Sequence, residues 1–128
     1  MKILLDTVTL LWIAGDDPRL SDRAQRAFVE PSNEVFLSAV SAWEIAVKYS
    51  LGRLTLPAPP ERILPELRSR YGIAALPLSE EATYHLERLP KHHRDPFDRM
   101  LICQAVAHGL TLLTPDPQIQ LYPVATVW

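Results

Sequence analysis

Two runs of this chain, Ile3-Leu4-Leu5 and Val35-Phe36-Leu37, are apolar at every position, with no alternation of polar and apolar residues. A strand with one wet face alternates. A strand buried on both faces does not, and that pattern suits the centre of a parallel sheet covered by helices. The chain therefore reads as α/β. Strands are expected at Lys2 to Leu5, Val35 to Leu37, Ile73 to Leu78, Leu110 to Thr114 and Val124 to Trp128. Between them fall helices at Thr7 to Ala14, Asp22 to Val29 behind a Ser21 cap, and from Ser41 onward. Further helices are expected at Glu61 to Tyr71, stopped by Gly72, and at Glu80 to Leu89, capped by Ser79. Pro65 sits early enough in its helix to be tolerated, and Pro57-Ala58-Pro59-Pro60 is a rigid connection too short to separate domains. One domain over residues 1–128 is the expected organisation.

The block Arg94-Asp95-Pro96-Phe97-Asp98-Arg99-Met100, followed by Leu101-Ile102-Cys103-Gln104-Ala105-Val106-Ala107, opens the most clearly marked helix. Asp95 is a good N-cap, Pro96 suits the first helical position, and Asp98 falls in the first turn, where a carboxylate answers the positive end of the helix dipole. Three more acids stand at comparable junctions. Asp6 and Asp116 follow strand-like runs, and Glu44 lies near the start of the Ser41 helix. Each has a purely structural explanation: Asp6 as an N-cap, Ser41 with Glu44 as a capping box, Asp116 as turn chemistry between two prolines. In an open α/β sheet, however, such junctions gather at the carboxyl edge of the strands, where ligands bind.

Charge is consistent with a shared site. Thirteen basic residues stand against 15 acidic ones, a net −2. With the four acids set aside, 13 stand against 11, so an acidic pit would lie in a mildly positive surface. Clustered carboxylates raise one another's pKa values and imply a cation. Magnesium or manganese fits best, because hard divalent ions take oxygen ligands and need no cysteine or histidine. Such a centre activates water and stabilises the oxygens of a phosphodiester, so metal-dependent hydrolysis of nucleic acid is the expected chemistry. Lys91, His92, His93 and Arg94 form a local basic cluster. The adjacent histidines are expected to be solvated loop residues rather than ligands, within a basic rim that holds a phosphate backbone. Lys48, Lys91, Arg94 and Arg99 are the candidate nucleic-acid contacts. Cys103, the single cysteine, reads as a buried structural thiol. No stretch has the length of a membrane span and the N-terminus is not a signal peptide, so a cytoplasmic location is expected.

Leu4-Leu5-Asp6-Thr7 with Leu10-Leu11-Trp12, then Ser41-Ala42-Trp43-Glu44-Ile45, then His93 to Leu101, then Leu113-Thr114-Pro115-Asp116 closely resemble the PIN-domain family. Within it, the chain is similar to VapC-type ribonuclease toxins of toxin–antitoxin pairs. The resemblance implies a three-layer α/β/α sandwich around a parallel sheet of order 3-2-1-4-5. It matches Asp6, Glu44, Asp98 and Asp116 to the family's acidic quartet, as catalytic and metal-binding residues, with Asp6 and Asp98 as the direct magnesium ligands. Thr7, Asp95 and Thr114 would support them from behind. It implies cleavage of single-stranded RNA regions, an antitoxin partner whose arginine meets the carboxylates, and a homodimer. One departure stands out: after Asp-Thr, many members of the subgroup carry His-Ala, and this chain has Val8-Thr9. An inactive PIN scaffold that binds RNA or a protein is the alternative. A phosphatase with an aspartate nucleophile is disfavoured, because that chemistry wants an acid at the position of Val8.

Overall fold

The computed structural model describes residues 1–128. Five strands, β1 (Lys2–Leu5), β2 (Glu34–Ser38), β3 (Ala74–Leu76), β4 (Thr111–Leu113) and β5 (Thr126–Val127), form one sheet in the order β3-β2-β1-β4-β5. Every pairing is parallel. The helices are α1 (Thr7–Ala14), α2 (Asp22–Val29), α3 (Ala39–Ser50), α4 (Pro60–Tyr71), α5 (Glu80–Thr83) and α6 (Pro96–His108). Two 3₁₀ turns, Leu86–Arg88 and Ile119–Leu121, complete the connections. The α/β class and the 3-2-1-4-5 order are those expected from the sequence.

The apolar strands are apolar because both faces are covered. Ile3 and Leu5 point into one core with Val35, Leu37 and Leu113, closed by Leu10 and Ile13 of α1, Phe28 of α2 and Leu64 and Leu67 of α4. Leu4 and Leu112 point the other way, into a second core built by Leu101, Ile102, Cys103 and Ala105 of α6. Helix α3 serves both, with Ile45 in the first and Val40 in the second. Cys103 is a free, fully buried thiol whose pKa is pushed up by that burial.

Several boundaries differ from expectation. The third helix starts at Ala39, two residues early, because Ser38 at the end of β2 accepts the Val40 N–H. Ser41 is therefore inside the helix, and the Ser41–Glu44 capping box does not form. The single helix expected over Glu80 to Leu89 breaks into α5 and a 3₁₀ turn. Beyond Thr83 the N–H groups of Tyr84, His85, Arg88 and Leu89 all bond three residues back, the tighter spacing of a 3₁₀ turn. Strands β3 and β5 are shorter than expected, as edge strands with a single neighbour commonly are.

Connectivity fixes where a site can form. From β1 the chain moves outward through β2 to β3, then returns to place β4 on the other side of β1. The carboxyl ends of β1 and β4 thus flank the point where the winding reverses, the place where open α/β sheets bind ligands. Leu5 is in register with Leu113, so Asp6 and Thr114 emerge side by side there.

Helix α6 should report the two environments separately. Leu101→Ala, in the fully buried core, should cost about 2–5 kcal/mol. Val106→Ala, on the exposed side of the same helix, should stay under about 1 kcal/mol. Urea denaturation of both variants checks this.

Candidate metal centre

Asp6 stands at the N-cap position of α1 yet makes no side-chain cap bond. Its carboxylate is buried and instead accepts the Thr114 hydroxyl, Oγ1 to Oδ2 at 2.7 Å. Thr114 in turn accepts the Asp116 N–H at 3.1 Å, so a single hydroxyl ties the end of β1 to the turn that carries Asp116. Thr7 donates to Ser41 Oγ at 2.9 Å and pins the start of α1 to α3. Thr9, at the departure from the subgroup's pattern, is fully buried and donates to the Leu113 carbonyl at 2.7 Å. It strengthens the same β1–β4 junction.

Helix α6 supplies Asp98. Asp95 does the capping, accepting the N–H groups of Phe97 and Asp98 through Oδ1. That leaves the Asp98 side chain outside the capping scheme. Its partner is His93, whose Nε2 lies 3.3 Å from Oδ2. Glu44 is buried on α3. One carboxylate oxygen meets Lys48 a turn later, and the other, Oε1, is buried with no hydrogen-bond partner. Asp116 takes the Gln118 N–H at 2.8 Å and keeps its second oxygen free of protein bonds.

The acids act on one another electrostatically. Burial first, then the charges of Asp6, Asp95, Glu44 and Asp116, push the Asp98 carboxyl up to about 8. Burial raises Asp6 to about 6 against the Thr114 bond, with Glu44 and Asp116 adding to the rise. The Lys48 ammonium is held above its ordinary value by its bond to Glu44 and, more weakly, by Asp95 and Asp98. One ligand atom each from His93, Asp98 and Asp116 lies within 4.8 Å of the others. Asp6 and Glu44 lie outside that close set, but the orphan Oε1 of Glu44 and the free oxygens of Asp98 and Asp116 are hard donors of the kind a divalent cation takes.

Two readings of the loop change. His93 is not a solvated residue: only 8% of its side chain is exposed, and it packs edge-on against Tyr122 with Nδ1 2.8 Å from the hydroxyl. His92 is exposed and meets the same ring edge-on. Arg99 does not offer its guanidinium freely. It donates to the carbonyls of Pro90 and Leu86 and to the Tyr122 hydroxyl. Lys91 and Arg94 are exposed, and with His92, His93 and Arg99 they line a wholly basic hollow next to Asp98. The sequence signal for His93 was its place five residues before Asp98, across the Asp95 cap. Nothing local marked Tyr122. A separate apolar groove between α1, α3 and α4 contains none of the four acids. An exposed Trp43, one residue before Glu44, meets Phe97, one residue before Asp98, with ring centroids 4.7 Å apart.

Residues 3–124 match the family model of the PIN domain. This chain belongs to the PIN-domain family, in its VapC-type branch. Ribonuclease VapC22 of Mycobacterium tuberculosis is 30% identical over 98% of both chains. Ribonuclease VapC16 of the same organism is 40% identical over 53% of this chain and 51% of its own. Among solved structures, the fold is similar to VapBC2 from Rickettsia felis bound to a promoter DNA fragment, with TM-score 0.75 and 16% identity over 99% of this chain and 98% of that one. VapBC-1 from nontypeable Haemophilus influenzae is similar at TM-score 0.68 and 14% identity, over 99% and 97%. This PIN fold has no helix long and apolar enough to cross a membrane.

The raised carboxyls carry a sign. Both ionise later in the folded chain than in the unfolded one, where Asp titrates near 3.8. The folded, metal-free PIN domain therefore binds more protons from about pH 4 to about pH 8, and its stability falls as pH rises through that window. Thermal melts in chelator should show Tm declining from about pH 5 to about pH 8. Asp98→Asn, which cannot ionise, should flatten the decline, and added Mg2+ should raise Tm more at the upper end.

Proposed function

We propose that this PIN domain is a divalent-metal-dependent endoribonuclease of the toxin–antitoxin type, acting on single-stranded RNA regions. What supports the reading is an acidic group at the carboxyl ends of β1 and β4: Asp98 and Asp116 lie within 4.8 Å of each other and of His93, and burial together with neighbouring acids raises Asp98 and Asp6. The ribonuclease names of its curated relatives and the VapBC assemblies among its structural neighbours support the same activity and an antitoxin partner.

Asp6 and Asp98 would hold the ion directly, with Glu44 and Asp116 completing the oxygen set. Mg2+ is the expected ion and Mn2+ a substitute. When bound, it supplies a polarised phosphate oxygen and a water of lowered pKa. The protein's own share is to hold the acids still. Thr114 fixes one oxygen of Asp6, Asp95 relieves Asp98 of capping, and Lys48 steadies Glu44. Thr7 acts from further back, through Ser41. Lys91 and Arg94 would take flanking phosphates in the basic hollow, while Arg99 braces that hollow from behind. Single-stranded RNA suits the site because an unpaired backbone can bend into a crevice that a duplex cannot enter. An antitoxin would compete by presenting an arginine to the carboxylates in fork geometry. The reading includes a cytoplasmic setting, a homodimer and a single domain over the chain.

Incubation of the purified protein with total RNA and Mg2+ should give cleavage that chelator abolishes. Asp6→Asn and Asp98→Asn should each lower the rate about 100-fold or more, since removing even an outer partner of a metal ligand costs 10–100-fold. Circular dichroism should show both variants folded. RNA binding without turnover at saturating Mg2+ or Mn2+ would instead favour an inactive scaffold.

A further inference from the structure

The Tyr122 hydroxyl, on a residue only 3% exposed, meets three partners. The His93 backbone N–H donates to it at 3.2 Å and Arg99 Nη1 donates at 3.1 Å. His93 Nδ1 lies 2.8 Å away. A phenol oxygen has two lone pairs and one proton. The first two partners are donors and fill the lone pairs. The proton is left for Nδ1, which must therefore accept. An Nδ1–H imidazole would ask the same oxygen to accept a third bond and would leave the phenol proton unused. Once Nδ1 accepts, a neutral ring carries its proton on Nε2, and that nitrogen faces Asp98 Oδ2 at 3.3 Å.

We propose that His93 is a positioning residue for Asp98: a neutral imidazole, protonated on Nε2 and oriented by Tyr122 and Arg99, that fixes Oδ2 and leaves Oδ1 for the cation. This deepens the divalent-ion reading and rests on it. The position of His93 within 4.8 Å of Asp98 and Asp116 would also suit a ligand, but an Nε2 that carries a proton has no lone pair to give a metal. A histidine that donates through one nitrogen while the other is held by a fixed partner keeps its ring and its carboxylate in one orientation. Arg99, tied to Pro90 and Leu86 as well, links this arrangement to the segment that leads into the loop. Tyr122, Arg99 and His93 thus transmit the position of that segment to a single carboxylate oxygen.

The test uses the full chain free of metal. Long-range proton–nitrogen-15 correlations resolve imidazole tautomers, and the His93 pattern is assigned by its disappearance in His93→Gln. The expected result is the Nε2–H form, unchanged on addition of Mg2+ and converted to a tautomer mixture in Tyr122→Phe. An Nδ1–H form, a doubly protonated ring, or loss of the Nε2 proton when Mg2+ binds would overturn the proposal. The loss on Mg2+ binding would make His93 a ligand. Mn2+ affinity provides a second readout. His93→Ala should weaken it about 10–100-fold, and His93→Gln, whose amide N–H reaches the same oxygen, should recover most of the loss. Equal losses in the two variants, or none in either, would also overturn it. The tautomer is read without metal or RNA, so its failure is distinguishable from a failure to cleave RNA.

Discussion

Mutual repulsion of carboxylates in a water-poor crevice is the constraint around which this protein is arranged. Each acid alone has ordinary local chemistry available to it, and the fold withholds that chemistry. Asp6 sits at a cap position without capping, Asp98 is relieved of capping by Asp95, and Glu44 buries an oxygen that nothing in the protein satisfies. A buried, unpaired acceptor costs about 1–3 kcal/mol, and more when it is charged. Lys48 is the one ammonium bonded to the group, and it is half exposed. What remains uncompensated is a local excess of negative charge that a divalent ion would offset more fully than any side chain present.

The architecture around the acids resists that repulsion. The strands meet at the reversal of the sheet's winding, where Thr9 and Thr114 both bond across the β1–β4 junction. On the other side, Gln104 of α6 is fully buried, accepts the Ser38 hydroxyl and donates to the Pro77 carbonyl. Helix α6 is thereby tied to the end of β2 as well as packed on the second core. Polar ties of this kind are satisfied at both ends, so they add orientation without leaving an orphan group. The acids are carried on parts of the chain that have little freedom to separate.

Much of this was legible in the residues, and what was not has definite causes. The unbroken apolar runs at Ile3–Leu5 and Val35–Leu37 announced a sheet covered on both faces, and Asp95-Pro96 marked the start of α6 to the residue. Helix α3 starts two residues before the expected Ser41 because Ser38, at the end of β2, takes the cap. The choice was made by where β2 ends, which is a tertiary matter. The Glu80–Leu89 segment looked helical by composition but lacks the long buried face that would hold an α-helix together, and it tightened into 3₁₀ geometry. His93 departs from the expected solvated loop for a related reason. Adjacent histidines in a polar loop normally face solvent, and only Tyr122, 29 residues further on, turns one of them inward. No local pattern encodes that partner, just as none shows that Arg99 is occupied by carbonyls of Leu86 and Pro90.

The hydroxyl bond between Thr114 and Asp6 joins residues 108 positions apart in a chain of 128. Contacts of such long range are the last to become available, since the intervening polymer must first be made and then ordered. A nascent chain carries Asp6 long before it carries β4 and Asp116, so the hydroxyl that holds the Asp6 carboxylate reaches it only after Glu44 and Asp98 have been made. An enzyme proposed to cut RNA would thus complete its centre with the last of the sheet's inner strands rather than with the first.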